Sequence, residues 1–393
     1  MRALDVGWVT CAASPECAGS ARRPYGRCLA HLDAADLDEV LADLSPGSAI
    51  DLRATSVGAR LLERIVAATR GRPGRARFDW AVFPDGARLG DLVFRGDASF
   101  DHARFRHLAS FFGVRFAGNV SFREARFARE LSLHGAVFDG HAAFDGMRVG
   151  GDALFGGALF GRDASFENAD FQGFAAFDGA AFAGDASLRG CRFRRTVSLR
   201  GTRFGGLAGF GGARFFAGGH LAPVLVRRHL SLAGAWAGRD LAVTAGGCPV
   251  DLRGLEVCGR LTVRLDGAGA DLTGAVLRGP ATVRGRAGAR LVSLCELDAG
   301  DLELADLDLS ACPLTGLRHP EGLRLSGCAL PSERRDRARG RGFRVFSGWS
   351  RMLPPRSGTK MVRAGNRDGD HVSRTRNGRV ESTWRAPGSS TTT

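Results

Sequence analysis

Large apolar residues recur through the middle of the chain at steps of five and six residues in strict alternation. The ladder runs Phe78, Phe83, Leu89, Phe94, Phe100, Phe105, Phe111, Phe116, Phe122 and onward without a break to Phe204, Phe210 and Phe215. Twenty-one of its 26 positions are Phe, and the other five are Leu or Val. The position two residues before each rung is small: 18 of 26 are Ala, and none is charged. Ser, Asp, Arg and Gly fill most of the places between. Each segment therefore offers one small and one large residue to the same side, two apart, as a short extended strand does.

A helix with an eleven-residue repeat is excluded by the same pairing, because residues two apart on a helix point to nearly opposite faces. The 56 glycines would also each cost about 1 kcal/mol relative to Ala in a helix. A hexapeptide β-helix needs a uniform step of six, which the alternation denies. What remains is a solenoid that turns a corner after every segment, with four segments making a 22-residue coil. The strings RGDASF (95–100), AGNVSF (117–122), DGHAAF (139–144), GRDASF (161–166) and AGDASL (183–188) recur at that longer period. The extra residue at alternate corners is expected to behave as a bulge absorbed by Gly, Asp or Asn.

The order Ala, any residue, Phe or Leu, then two more residues resembles the pentapeptide-repeat family. Further on it takes that family's leucine form in ADLTG (270–274), AVLRG (275–279) and ADLDL (305–309), with Leu297, Leu302, Leu307, Cys312 and Leu317 stepping by five. The resemblance covers residues 76–330, with a register slip at roughly 217–270. It implies an all-β solenoid, a right-handed quadrilateral β-helix with its large and small residues filling the core. About eleven coils would make a rod on the order of 50 Å long.

Residues 1–75 carry no repeat and are expected to form a small N-terminal cap. Cys11, Cys17, Cys28 and His31 have the spacing C-x5-C-x10-C-x2-H. Three thiolates and an imidazole suit a tetrahedral structural zinc, with no ligand position left open for chemistry. The competing reading is four unrelated side chains. Asp33 should begin a short amphipathic helix carrying Leu37, Val40, Leu41 and Leu44, stopped at Ser45-Pro46-Gly47. A second helix is expected over 56–69. Both would cover the first open coil, since the ends of a solenoid need a cap.

The formal net charge of +14 suggests a nucleic-acid partner until it is located. Residues 78–330 hold 29 Arg against 27 acidic residues, whereas residues 331–393 hold 15 Lys+Arg against 5. The excess thus lies in the segment 331–393, which lacks periodicity and is expected to be disordered. It reads either as a tether for nucleic acid or an acidic partner, or as a tail without selected function. No apolar run reaches the ~18 residues of a membrane span, and no signal peptide is recognised. Nine cysteines, an odd number and mostly scattered, point to free thiols in a reducing cytoplasm.

No nucleophile–base–acid arrangement emerges. His102, His107, His134 and His141 are dispersed, and Asp97, Asp163 and Asp185 recur at corners, where Asp caps turns. Gly-rich GGLAGFGGARF (205–215) lacks the following helix that a phosphate loop needs. The expectation is a non-enzymatic scaffold that binds a protein partner, with no cofactor beyond structural zinc. An alternative comes from the resemblance, since some family members mimic duplex DNA and act on DNA gyrase; a near-neutral rod weakens it. Nucleic-acid binding through 331–393 is a third reading. The last coil, near Leu325–Leu330, should either pair end to end in a homodimer or be covered by residues 331–350.

Overall fold

The computed structural model describes residues 7–331. The segment 332–393, including the basic tail and the proposed cover over the last coil, lies outside the described residues. By chain contacts the protein divides into a unit spanning Met1–Met352 and a second, Leu353–Thr393. The first unit is a parallel β-solenoid closed at its N-terminal end by two short helices.

From Ala76 to Phe204 each coil has four sides, each a two-residue strand set between corners. In one coil these are Ala98–Ser99, Arg104–Phe105, Ala109–Ser110 and Arg115–Phe116, here called sides one to four. Over this stretch each strand pairs in parallel with the one 22 positions on, as in Ala98 with Val120 and Phe105 with Phe127. Side one stacks 12 strands and side two 11.

The Ala and Phe of each pair point inward and are buried along the whole ladder. Because equivalent residues lie one hydrogen-bonded strand apart, rings on one side stack nearly parallel. Phe78, Phe100 and Phe122 succeed one another at centroid distances of 4.6 and 4.7 Å with planes 5° apart. Rings on opposite sides meet edge to face, as Phe144 on side one does with Phe155 on side three at 5.7 Å and 87°. Each buried ring contributes roughly 1.5–3 kcal/mol from area alone. Where Cys191 and Thr202 replace the small Ala, their side chains donate to the carbonyls of Phe166 and Phe177, so no polar atom is stranded.

The corners depart from expectation. Left-handed residues lie at both sets of five-residue corners, after side one at Trp80, His102, Glu124, Gly146, Asn168 and Gly190, and after side three at Asp91, Gly113, Gly135, Gly157, Gly179 and Gly201, each with φ between 55° and 70°. The six-residue corners instead use Gly for close approach and Asp or Asn for bonding between coils. A Cβ on Gly118 would lie 2.7 Å from the Asp97 nitrogen. Asp97 accepts the N–H of Asn119, Asn119 that of His141, Asp163 that of Asp185, and Asp185 that of Leu207. A carboxylate thereby binds the equivalent residue of the next coil, which is the structural role expected of Asp97, Asp163 and Asp185.

The slip at 217–270 is a change of cross-section. Strand Gly219–Val226 pairs below with two separate strands, through His220 to Ser198 on side three and through Leu225 to Arg203 on side four. Above, it pairs with one continuous strand, Leu241–Gly246. From there sides three and four are fused, the corner between them is gone, and the period falls to 20 residues, as in Leu241 with Leu261 and Leu261 with Ala281. Leu241, Val243 and Ala245 then point inward in plain alternation.

At the N-terminal end, Ile50–Asp51 pairs with Ala76–Arg77, and the N–H of Val57 donates to Val82. The first coil therefore begins at Ile50. Helix α1, Ala34–Ala42, is capped by the Asp33 carboxylate accepting from the Asp36 N–H, as expected. Helix α2 spans Ala59–Ala68 rather than starting at 56, because Ser56 and Val57 are drawn into pairing with side two. Val40, Leu41, Leu62 and Ile65 join Ile50, Leu52 and Val57 in one apolar cluster continuous with the ladder. No helix among the described residues is long and apolar enough to cross a membrane.

Phe144 touches rings on three sides and in both neighbouring coils. Phe144→Ala should lower unfolding stability by about 3–5 kcal/mol, and Phe144→Asp should prevent folding. An unchanged urea midpoint for Phe144→Asp would contradict this packing.

Candidate metal centre

The first segment of the chain has little apolar material of its own. Residues 7–32 form two short antiparallel contacts, Thr10 with Ser20 and Arg22 with Arg27, and a one-turn helix, Leu29–His31. The N–H of Cys11 donates to the Gly19 carbonyl and the N–H of His31 to the Cys28 carbonyl, which draws the four flagged side chains inward.

Cys11, Cys17, Cys28 and His31 converge so that their ligand atoms all lie within 4.8 Å of one another. The Cys17 and Cys28 sulfurs are 3.9 Å apart, and His31 Nδ1 lies 3.4 Å from Cys11 Sγ and 3.5 Å from Cys28 Sγ. Tetrahedral bonds of ~2.3 Å to sulfur and ~2.05 Å to nitrogen would set those separations at about 3.8 Å and about 3.6 Å. The cluster could hold a metal ion. Cys11 and Cys28 are buried, Cys17 is half-buried, and His31 is exposed.

The local fields differ from one sulfur to the next. Burial raises the Cys11 thiol, but the backbone N–H groups of Cys28 and Ala13 and the His31 ring outweigh it and bring it down to about 6. Burial and the neighbouring Cys17 push Cys28 up to about 12, and burial also raises Cys17. A cation among them would reverse this balance, because a coordinating thiol gives up its proton.

Three contacts anchor the cluster to the first coil. Ser20 donates its N–H to the Arg53 carbonyl at 2.9 Å and its hydroxyl to Asp51 at 3.1 Å. Arg53 forms a two-pronged ion pair with Asp51 and lies 4.5 Å from the centre of the Trp8 ring. Although burial opposes it, the Arg53 pairing holds Asp51 below the usual carboxylate range. Gly19 sits against the cluster, where a Cβ would lie 2.9 Å from Cys28 Cβ and 3.2 Å from Thr55 Oγ1. Neither Gly19 nor this anchor is signalled by the cysteine spacing, since each depends on contacts between residues far apart in the chain.

The remaining flagged residues do not assemble. His102 stacks on Trp80 at 4.1 Å, His134 lies over Phe112 at 5.7 Å, and His141 faces Asp163 at 3.7 Å on an exposed corner.

A family model described as pentapeptide repeats (9 copies) matches residues 100–148, 144–192 and 177–222. No curated protein sequence matches the chain. Among solved structures, HetL, a pentapeptide repeat protein involved in heterocyst differentiation regulation in the cyanobacterium Nostoc sp. strain PCC 7120, is 17% identical. That match covers 70% of this chain and 98% of HetL, with a TM-score of 0.23. A trypsin-treated form of QnrB1, a plasmid-mediated fluoroquinolone resistance protein, is 18% identical over 60% of this chain and 92% of its own, with a TM-score of 0.19.

Gly19→Ala must displace Cys28, and overpacking of this kind costs about 1–3 kcal/mol. Tryptic cleavage after Arg22 and Arg27 should rise about tenfold, because cutting follows the population of the opened form. The melting of the β-helix should stay unchanged. Equal cleavage of variant and wild type would show that the cluster does not hold this segment.

Proposed function

This chain belongs to the pentapeptide-repeat proteins, and we propose that it is a non-enzymatic scaffold whose rod presents sheet faces to a protein partner. The observation that carries this reading is the use made of the recurring polar residues. The corner carboxylates and the Ser hydroxyls of side one bind coil to coil: Ser121 donates to Asp101 at 2.5 Å and Ser187 to Glu167 at 2.8 Å. These groups serve the fold, and what faces outward is a row of strand positions repeated at the coil spacing. An open trough of about 400 Å³ on side one is lined by Arg77, Asp79, Asp97, Ser99 and His141. It lacks the enclosed apolar walls that small-molecule sites have.

The cluster of Cys11, Cys17, Cys28 and His31 is assigned as a structural zinc site. Four protein ligands close the coordination sphere, so the ion staples the first segment onto the coil and performs no reaction. A cytoplasmic location fits an odd number of cysteines, nine, most of them scattered along the rod. End-to-end dimerisation is part of the proposal, because the last strand, Leu323–Ser326, pairs on one edge only among the described residues, with Leu302–Ala305. The gyrase-directed alternative would need free acidic rows. Side one does carry Asp79, Asp101, Asp145 and Glu167, but Ser hydroxyls already occupy these carboxylates.

Metal analysis of the purified, unchelated chain should find about one zinc per molecule, released as acid protonates the thiolates; a metal-free protein would refute the assignment. Tagged full-length chain incubated with nuclease-treated host lysate should retain a protein species that excess untagged chain displaces. Retention of no protein species would overturn the scaffold reading.

A further inference from the structure

The near balance of charge along the rod conceals a segregated face. On side two, the residue between the two inward-pointing ladder positions is Arg104, Arg126, Arg148, Asp170, Arg192 and Arg214 in six successive coils. The register places these residues directly above one another, so the column is ~24 Å long at the spacing of paired strands. All five arginines are exposed. None of them takes part in an ion pair among the described residues. The one carboxylate in the column, Asp170, is taken by Arg194 through bonds of 2.9 and 3.1 Å. Arg106, on the same side, adds a further exposed charge.

We propose that this arginine column binds the phosphate backbone of a nucleic-acid duplex. The inference rests on the reading of the outward faces as docking surfaces and names the chemistry of one of them. Guanidinium groups suit phosphate because their planar fork donates two parallel hydrogen bonds. Spacing separates a duplex from an acidic peptide. Duplex DNA offers a charge about every 1.7 Å of axis, or about 3.4 Å along one strand. That is dense enough to meet every arginine of a column with a ~4.8 Å pitch. An extended peptide turns side chains to one face only every ~6.8 Å, which leaves guanidinium groups unmatched and slips out of register. The column ends against Phe216 and Trp236, whose rings meet edge to face at 5.4 Å, with Arg194 5.8 Å from the Phe216 ring. This aromatic step lies at the end of the basic row.

The test uses the full-length chain and a fluorescent 20-base-pair duplex of mixed sequence, titrated between about 50 and 200 mM salt. Replacing Arg104, Arg126, Arg148, Arg192 and Arg214 by Gln should weaken binding roughly tenfold or more at low salt. It should also reduce the slope of log affinity against log salt by about 4.5, at about 0.9 per phosphate contact. A second variant works in the opposite direction: Asp170→Asn removes the carboxylate and releases Arg194, and should tighten binding and steepen the slope by about 0.9. Wild-type affinity and slope in the five-site variant would place binding in residues 332–393 and overturn the proposal. Displacement of the duplex by poly-glutamate at equal charge concentration would assign the face to an acidic protein and also overturn it. Lost duplex binding together with intact capture of a protein partner would refute only the nucleic-acid assignment, leaving the scaffold reading in place.

Discussion

The distance between hydrogen-bonded strands, about 4.8 Å, is the constraint on which this molecule depends. Because every coil pairs in register with the next, whatever occupies one inward position must tolerate a copy of itself at that distance. Phenylalanine meets this demand by stacking, and the observed centroid distances, 4.4 Å for Phe160 with Phe182 and 5.4 Å for Phe116 with Phe138, follow the pitch. Rings stacked on side one meet those of sides three and four edge to face, whereas rings across a five-residue corner, such as Phe100 and Phe105, are tilted at 41°, so both contacts come from the four-sided section. The small partner residue completes the arrangement, since a second large side chain two positions earlier would compete for the same interior.

The change of section near Gly219 follows from the same constraint. A corner between sides three and four requires a turn, and the turn requires extra residues. When Leu241–Gly246 runs straight through, the coil shortens from 22 to 20 residues. Phe gives way there to Leu, Val and Ala, such as Leu261, Val263 and Leu265. A ladder defined by alternating five and six cannot register a missing corner, so the sequence reads as slipped where the structure remains continuous. Strand Gly219–Val226 makes the transition by pairing with two strands below and one above.

Other features were legible to the extent that they repeat. The Phe ladder, the coil period and the corner Asp residues recur many times, and repetition reveals a pattern in a single sequence. The four metal-site candidates were legible from side-chain chemistry and spacing. Their support was not, because Gly19, Ser20, Asp51 and Arg53 occur once, without a repeat, and look like ordinary residues until residues 20 and 53 are brought together. The arginine column lies between these cases. The triplets Ala103–Phe105, Ala125–Phe127 and Ala213–Phe215 each hold Arg at the outward position, but charge summed over the whole rod cancels them against carboxylates on other sides.

That cancellation shows how a rigid solenoid handles charge. On side one, Ser and carboxylate alternate between coils and satisfy one another, so the row is spent on cohesion. On side two, like charges stand one strand apart, and the one carboxylate among them, Asp170, is paired with Arg194 instead. In a flexible protein such a row would relax by moving backbone. Here the strands beneath it are fixed by Phe105, Phe127, Phe193 and Phe215, all buried in the stacked interior. The remaining sources of relief are splaying of the side chains, screening by salt over a range of about 8–10 Å, or a partner that supplies anions in a line. The stacked core that makes the rod stiff therefore also holds the guanidinium row in register, and a stiff charged row gives up little ordering entropy when a linear polyanion lies along it.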